Sequence, residues 1–145
     1  MVDRTMSIDL QFSLDNVNWE EACTIFERAP LGTRKPDRLR RTFENSDLVL
    51  FARDGDRLVG LARALSDGVA GSIIYDLCIL PEYQGKGLGK RMMKAMLGRL
   101  KSRNVLLYAV PGKEKFYEQF GFRVMTTAMG LFADPEAARN KGYII

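Results

Sequence analysis

The sequence predicts an α/β fold, with a mixed, mostly antiparallel central sheet of about seven strands and helices on both faces. Three observations lead there. Short alternating segments separated by turns fill the first half, which is typical of hairpins. Ser72–Leu80 is almost continuously apolar, which is typical of a central strand covered on both faces. A strand, helix, strand order then follows in the second half.

Each element of the first half has its own signal in the chain. Ser7–Leu14 alternates between apolar and polar residues. Asn18 precedes an apolar pattern of helical period and, with Glu21 three residues on, resembles a capping box. Pro36 suits the first position of a second helix. Asp54-Gly55-Asp56 is a hairpin signal between two strands.

The second half carries signals of the same kinds. Apolar residues recur every four positions from Leu88 to Leu100, which predicts an amphipathic helix. Pro111-Gly112 turns the chain, and Gly121 suits the end of a short helix. The predicted strands are Ser7–Leu14, Leu48–Arg53, Arg57–Leu65, Ser72–Leu80, Val105–Val110, Phe122–Met125 and Ala128–Phe132. The predicted helices are Trp19–Arg28, Pro36–Asn45, Leu88–Leu100 and Lys113–Gln119.

Composition limits the chemistry. The 145 residues predict a single domain over residues 1–145, and no apolar run is long enough for a membrane span. The chain has two cysteines and no histidine, which excludes His-based nucleophilic triads and disfavours a zinc site, so no metal is expected. The N-terminus lacks the pattern of a signal peptide, and we expect a cytoplasmic protein.

The net charge of +4 favours an anionic partner, either nucleic acid or a phosphate-rich cofactor. Basic residues gather in two places, Arg34–Arg41 and Lys86–Arg91. A nucleic-acid-binding module is one alternative, but no recognised motif supports it. Binding that weakens steeply with salt would be its mark.

The segment Pro81–Lys90 leaves the apolar strand and opens a helix. Glycines there let backbone N–H groups approach a ligand, and a helix start favours phosphate oxygens. The P-loop pattern fails because Gln84 stands at its first glycine position and Arg91 at its Ser/Thr position. The dinucleotide pattern fails because Lys90 stands at its third glycine position.

Gln84, Gly87 and Gly89 meet the pattern [R/Q]-x-x-G-x-[G/A], and Phe116–Phe122 reads F-Y-x-x-x-G-F. In this order and on these elements, the two motifs resemble those of GNAT N-acetyltransferases, as a small single-domain member. The resemblance implies the GNAT fold and an enzyme that moves an acetyl group from acetyl-CoA to a primary amine, by direct transfer in a ternary complex. A protein that binds acyl-CoA as a sensor, without turnover, is the alternative.

The resemblance also implies site residues. The pyrophosphate would lie on the loop that consists of Gln84, Gly85, Lys86, Gly87, Leu88, Gly89 and Lys90. A bulge in the strand Ser72–Leu80 would splay it from the next strand, so that the pantetheine arm would pair with the backbone of Leu77, Cys78 and Ile79. Tyr117 matches the family's general acid, or it packs beside its aromatic neighbours. The glutamate that some members use as base falls at Ile73 here, so Asp76 is the nearest carboxylate on that strand; its alternative is a structural role.

The same resemblance places the amine acceptor between the first two helices and the last two strands. Basic residues at Arg34, Lys35, Arg38 and Arg41 would suit an acidic acceptor, although a solvated helix face is the commoner meaning of such a pattern. We expect a small-molecule amine, no membrane partner, and a homodimer as an option that the family offers.

Overall fold

The computed structural model describes residues 7–145 of the chain. It has two compact units, the first ending at Leu107 and the second comprising Tyr108–Ile145. The single domain over residues 1–145 stays a prediction.

Five strands and five helices lie in the described residues. The strands are β1 (Asp9–Gln11), β2 (Leu48–Asp54), β3 (Arg57–Ser66), β4 (Gly71–Ile79) and β5 (Asn104–Leu106). The helices are α1 (Trp19–Arg28), α2 (Pro36–Glu44), α3 (Leu88–Arg99), α4 (Glu114–Glu118) and α5 (Pro135–Asn140), and a 3-10 turn covers Pro81–Tyr83. Between residues 7 and 145, no helix combines the length and apolarity that crossing a bilayer requires.

The sheet follows the order of the chain, β1-β2-β3-β4-β5. The first four strands are antiparallel to their neighbours, whereas β4 and β5 pair in parallel. A parallel pair needs a crossover connection, and α3 supplies it between β4 and β5. The predicted mixed, mostly antiparallel sheet is confirmed.

Helices cover both faces of this sheet. On β2, Phe51 contacts the rings of Trp19 in α1 and Phe43 in α2, with centroids 6.1 and 5.4 Å away. Ala52, the next residue, points to the opposite face and pairs with Gly60 of β3, where a Cβ atom would lie 3.2 Å from Met92 of α3. Since successive residues of a strand point to opposite faces, α1 and α2 lie on one face and α3 on the other.

Local signals set the helix boundaries. The Asn18 side chain accepts hydrogen bonds from the N–H groups of Glu20 and Glu21, and so caps α1. The reciprocal half of the predicted capping box is not made, because the Glu21 carboxylate accepts from the Leu58 N–H instead. Helix α3 buries Leu88, Met92, Met93 and Met96, the face that its spacing predicts.

The second unit contains two short helices and an aromatic cluster. The rings of Phe132 and Tyr143 each lie edge-on to Tyr108, at 6.2 and 5.5 Å between centroids. Helix α5 was not predicted, although its start carries a signal. Asp134 accepts from the Ala137 N–H, and Pro135 occupies the first helical position.

The predicted number of strands, seven, is wrong for the described residues, which form five. Phe122–Met125 and Ala128–Phe132 are not strands. Their apolar side chains bury no common face, since Val124 is 73% exposed and Leu131 fully exposed. Alternation stabilises a strand only when one face is covered and a neighbouring strand takes up the backbone groups.

Two other strands are shorter than predicted. β1 ends at Gln11 because the Gln11 side-chain amide donates to the carbonyls of Ser13 and Asp15, both at 2.8 Å, which turns the chain. β5 ends at Leu106, four residues before the predicted end at Val110.

Candidate functional site

A glycine loop joins β4 to α3. Gly85 and Gly87 have φ angles of 73° and 88°, in the left-handed region that favours glycine. Gly87 is the N-cap of α3, and no side chain caps the helix there. A Cβ atom at either glycine would meet no protein atom within 4 Å, so the backbone on that side is open to a ligand.

The start of α3 offers backbone donors to this open side. The N–H groups of Leu88, Gly89 and Lys90 belong to the first helical turn, where no carbonyl of the helix can accept them. They point along the positive end of the helix dipole, a place that favours anions. The buried Leu88 side chain fixes this turn to the core, and Lys86 and Lys90 are exposed beside it.

Arg91 does not join this group of cations around the loop. Its guanidinium donates to the carbonyl of Ile8 at 2.6 Å, and so connects α3 to the residue before β1. Sequence position alone grouped Arg91 with the two lysines; Arg91 is exposed as they are, but one of its guanidinium nitrogens is used in the bond to Ile8.

Side-chain hydrogen bonds hold the segment before the loop, and we call this set of contacts, which Glu82 and Tyr83 make, the Glu82 anchor. The Glu82 carboxylate accepts from Arg28 of α1 at 2.7 and 2.9 Å and from Arg57 of β3 at 2.5 Å. These hydrogen bonds lower the pKa of Glu82 to about 2, with that from Arg28 as the largest cause. Next along the chain, the buried Tyr83 donates its hydroxyl to Asp54.

Gln84, the first residue of the motif, completes the connection between loop and strand. Its side-chain amide donates to the carbonyl of Ile79 at 2.8 Å, at the end of β4. The side chain therefore stabilises the turn, while the open donors belong to the residues after it.

Strand β4 has one partly open edge. Its parallel ladder with β5 comprises only three pairs, from Gly71 with Asn104 to Ile73 with Leu106. On the other edge, β3 pairs as far as Ile79. Within residues 7–107, no strand pairs with Leu77, Cys78 and Ile79 on the β5 side. Those backbone groups of this stretch that point to that side can pair with an extended ligand, apart from the Ile79 carbonyl, which accepts from Gln84.

Cys78 lies on this stretch with its thiol buried, at 1% exposure. Burial raises the pKa of the Cys78 thiol far above its ordinary value, and the charge of Asp76 adds to the rise, whereas Arg34 lowers it. The thiolate is the reactive form of cysteine, so this environment disfavours an acylated Cys78.

Asp76 occupies a β-bulge. β3 and β4 pair through Ala62 with Leu77 and through Arg63 with Tyr75, which leaves Asp76 without a partner residue. Its carboxylate accepts a hydrogen bond from the Arg63 Nε at 2.7 Å, in a pair whose side chains are 15% and 20% exposed. The Arg63 guanidinium also lies 4.7 Å from the centre of the Tyr75 ring.

One consequence of this bulge was not predicted. Strict alternation places Tyr75 and Asp76 on opposite faces, yet both side chains reach one guanidinium because the bulge interrupts the alternation.

Arg63 was overlooked as a site residue. A cation inside an otherwise apolar strand was the available signal, since such a residue is rarely buried unless paired.

Tyr117 belongs to the second unit, on α4. It is partly exposed, and its ring contacts those of Phe116 and Phe122 edge-on, with centroids 5.0 and 6.2 Å away. This is the packing that the alternative interpretation expects, and it leaves the side chain partly accessible. The role of Tyr117 as general acid stays a prediction.

Part of the basic surface has internal partners. The Arg34 guanidinium stacks 4.7 Å from the centre of the Phe26 ring and donates to the Leu31 carbonyl. Arg40 pairs with Glu44 along α2. Within residues 7–145, no cluster of three or more potential metal-ligating side chains occurs.

Comparisons with known proteins agree with this geometry. Residues 18–130 match the family described as "Acetyltransferase (GNAT) domain". The chain is 32% identical over 126 residues to the rice (Oryza sativa subsp. japonica) protein named serotonin N-acetyltransferase 2, chloroplastic; the alignment covers 82% of this chain and 58% of the rice protein. The chain thus spans less than two thirds of that relative.

Solved structures share the fold. A GNAT-family acetyltransferase from Streptococcus pneumoniae TIGR4 superposes with a TM-score of 0.72 at 27% identity, covering 86% of this chain and 96% of that one. A GNAT-family acetyltransferase from Elizabethkingia anophelis, solved with acetyl-CoA bound, superposes with a TM-score of 0.65 at 14% identity, covering 82% of this chain and 78% of that one. With the family match over residues 18–130, these findings show that the chain belongs to the family of GNAT acetyltransferase domains.

Proposed function

We propose that this protein is an acetyltransferase that uses acetyl-CoA to acetylate the primary amine of a small molecule, by direct transfer in a ternary complex. The observation that carries the proposal is the uncapped start of α3 behind two left-handed glycines, next to the open stretch of β4. An anion and an extended amide-bearing arm are the two ligand features that such a surface fits. Acetyl-CoA has both.

The pyrophosphate is the part that the glycine loop would bind. The amides from Gly85 to Lys90 would supply the donors, since the Gln84 N–H donates to the Pro81 carbonyl, and Lys86 and Lys90 would supply the formal positive charge. Because no protein atom lies within 4 Å of a Cβ placed at Gly85 or Gly87, phosphate oxygens have room to approach the backbone.

The pantetheine arm would then extend along β4. Backbone groups of Leu77, Cys78 and Ile79 on the β5 side would pair with its amides as an added strand. One of these N–H groups would also polarise the thioester carbonyl and stabilise negative charge that develops on its oxygen.

When bound, acetyl-CoA supplies an activated acetyl thioester. The neutral amine nitrogen of the acceptor would form a bond to the carbonyl carbon, the carbon–sulfur bond would break with its electron pair on sulfur, and the amine would lose one proton to solvent water. Tyr117, protonated at neutral pH because a tyrosine pKa is ordinarily about 10, would donate a proton to the departing thiolate and regain one from solvent. The buried, weakly acidic thiol of Cys78 favours this direct route over an acyl-enzyme.

The acceptor is proposed only as a class. The rice relative is named for serotonin, a small primary amine, which supports a small-molecule acceptor here. Cytoplasmic localisation and a homodimer stay predictions from the sequence.

Calorimetric titration with acetyl-CoA is the first test. We expect micromolar binding by the wild type and its loss in Gly87→Glu, since that change adds a carboxylate where the pyrophosphate would lie. Gly68→Glu is the matched control: Gly68 also has a left-handed φ of 75° and open space at its Cβ, but it lies in the turn at the opposite end of β4.

Turnover is tested next, by thiol release with a panel that contains serotonin, an amino acid, a polyamine, an aminosugar and a lysine peptide. We expect one of the small amines to be acetylated, and Tyr117→Phe to lower kcat by about 10²-fold or more. Wild-type protein that binds no acyl-CoA would overturn the proposal. Binding without turnover of any amine would favour the sensor.

A further inference from the structure

The bulge in β4 lies directly before the residues proposed to pair with the acyl donor. Asp76 has a φ of 34°, and in the described part of the chain only Asn16 shares a positive φ among residues other than glycine. A bulge adds one residue to a strand and re-aims the side chains and backbone groups beyond it. In β4 the residues beyond the bulge are Leu77 and Cys78.

A positive φ is uncommon outside glycine; aspartate and asparagine tolerate it better than other residues, but it still costs free energy that the surroundings must offset. The Arg63 side chain is in place to do so. It comes from the neighbouring strand β3, directly opposite Tyr75, and its Nε donates to the Asp76 Oδ2 at 2.7 Å. Stacking on the Tyr75 ring fixes the other side of the guanidinium.

The same ion pair argues against Asp76 as the base. One of the two carboxylate oxygens, Oδ2, already accepts a hydrogen bond from the Arg63 guanidinium, which leaves it poorly placed to remove a proton from an amine. Both side chains are largely buried, so the pair is little screened by water. A proton on Asp76 would remove the charge attraction within this pair, although an oxygen could still accept from Arg63.

We infer that the Arg63–Asp76 ion pair is a positioning device, which holds the β4 bulge and so aims the Leu77 and Cys78 backbone at the acyl donor. Asp76 then acts through the main chain, and not by proton transfer. This inference rests on the proposed function, since it assigns the pair a role in acetyl-CoA binding.

Four variants separate the two roles of Asp76. Asp76→Asn keeps an oxygen that can accept from Arg63 and tolerates a left-handed φ, but it cannot serve as a base. Asp76→Ala removes both the acceptor and that tolerance. Arg63→Ala breaks the pair from the other side and leaves the carboxylate in place. The double variant tests whether the two residues act as one unit.

The measurements are the Kd for acetyl-CoA by calorimetry, and kcat, KM and the pH–rate profile with the best amine of the panel. We expect Asp76→Asn to stay within about threefold of wild type, with an unchanged acid limb of the profile. Asp76→Ala and Arg63→Ala should each raise the Kd and KM for acetyl-CoA about tenfold and also lower kcat, because one of the re-aimed N–H groups would stabilise charge on the thioester oxygen. The double variant should be no worse than either single.

A different result would overturn the inference. If Asp76→Asn lowers kcat by about 10²-fold or more and removes the acid limb, Asp76 is the base. If Arg63→Ala leaves the Kd for acetyl-CoA unchanged, the pair does not position the donor. Thermal melting identifies any variant that fails to fold, and Asp76→Asn and Arg63→Ala then still decide the matter. Failure of the proposed function is recognised separately, because the wild type would then bind no acetyl-CoA.

Discussion

Gly60 of β3 lies close to the β4 backbone and to Met92 of α3, and its replacement by alanine should destabilise the protein. The added Cβ would be 3.2 Å from the Cys78 carbonyl oxygen, 3.2 Å from the Met92 sulfur and 3.4 Å from the Met92 terminal methyl carbon. Met92 is a flexible side chain and can shift. The carbonyl is main chain of β4 and can move only with the strand.

The net effect is the sum of two opposing terms. Overpacking of a core by one methyl group costs about 1–3 kcal/mol. Loss of glycine's freedom in the unfolded chain returns about 0.4–1 kcal/mol. We therefore expect the free energy of unfolding to fall by about 1–2 kcal/mol, and the Tm by about 3–6 °C for a domain of this size.

Urea and thermal denaturation measure the change, with Gly98→Ala as the control. Gly98 lies in α3, and nothing is within 4 Å of a Cβ placed there, so alanine should stabilise the protein by about 0.5–1 kcal/mol. In a Met92→Ala background, Gly60→Ala should lower the free energy of unfolding by less, because the contacts with Met92 have gone and only that with the Cys78 carbonyl remains. Calorimetry should also show weaker acetyl-CoA binding, since β4 shifts at Cys78.

The reasoning is refuted if Gly60→Ala is as stable as the wild type or more so. It is refuted in part if Gly60→Ala lowers the free energy of unfolding equally in the wild-type and Met92→Ala backgrounds, because the clash would then be with the backbone alone.

Three further predictions concern single side chains. The pKa of Glu82 is lowered to about 2 from an ordinary 4.5, so its ion pairs contribute stability that is present above the ordinary pKa and lost as pH falls towards 2. The Tm advantage of wild type over Glu82→Gln should therefore disappear over that pH range, and an advantage that stays constant would contradict this prediction. Asn18→Ala should lower the free energy of unfolding by about 1 kcal/mol in urea, with Asn18→Asp close to wild type, because the α1 cap is lost only in the first. Cys78→Ala should keep kcat within about threefold of wild type under direct transfer, whereas loss of a covalent nucleophile would abolish turnover.

Features with a local cause could be predicted from the sequence. The cap at Asn18, the proline start of α2 and the apolar face of α3 depend on residues a few positions apart, and the structure has each of them. The glycine loop was equally accessible, because left-handed positions after a strand are marked by glycine itself.

Features that depend on strand register could not be predicted from the sequence in the same way. The family resemblance implied a bulge in this strand, but its position at Asp76 is defined only by the pairing with β3, and the Arg63 partner lies 13 residues away in sequence. The Glu82 anchor spans 54 residues to Arg28. The two wrong strands near the end had suitable alternation, but a pattern in one segment does not reveal whether another strand will pair with it.

The Glu82 anchor also has a thermodynamic meaning for ligand binding. Ordering a flexible loop around a ligand consumes conformational entropy at the moment of association, and that loss weakens affinity. Here the residues before Gly85 are ordered already, by Arg28, Arg57 and the Tyr83 hydroxyl. The entropy is lost once, during folding, so that more of the interaction energy between phosphate and loop remains as affinity.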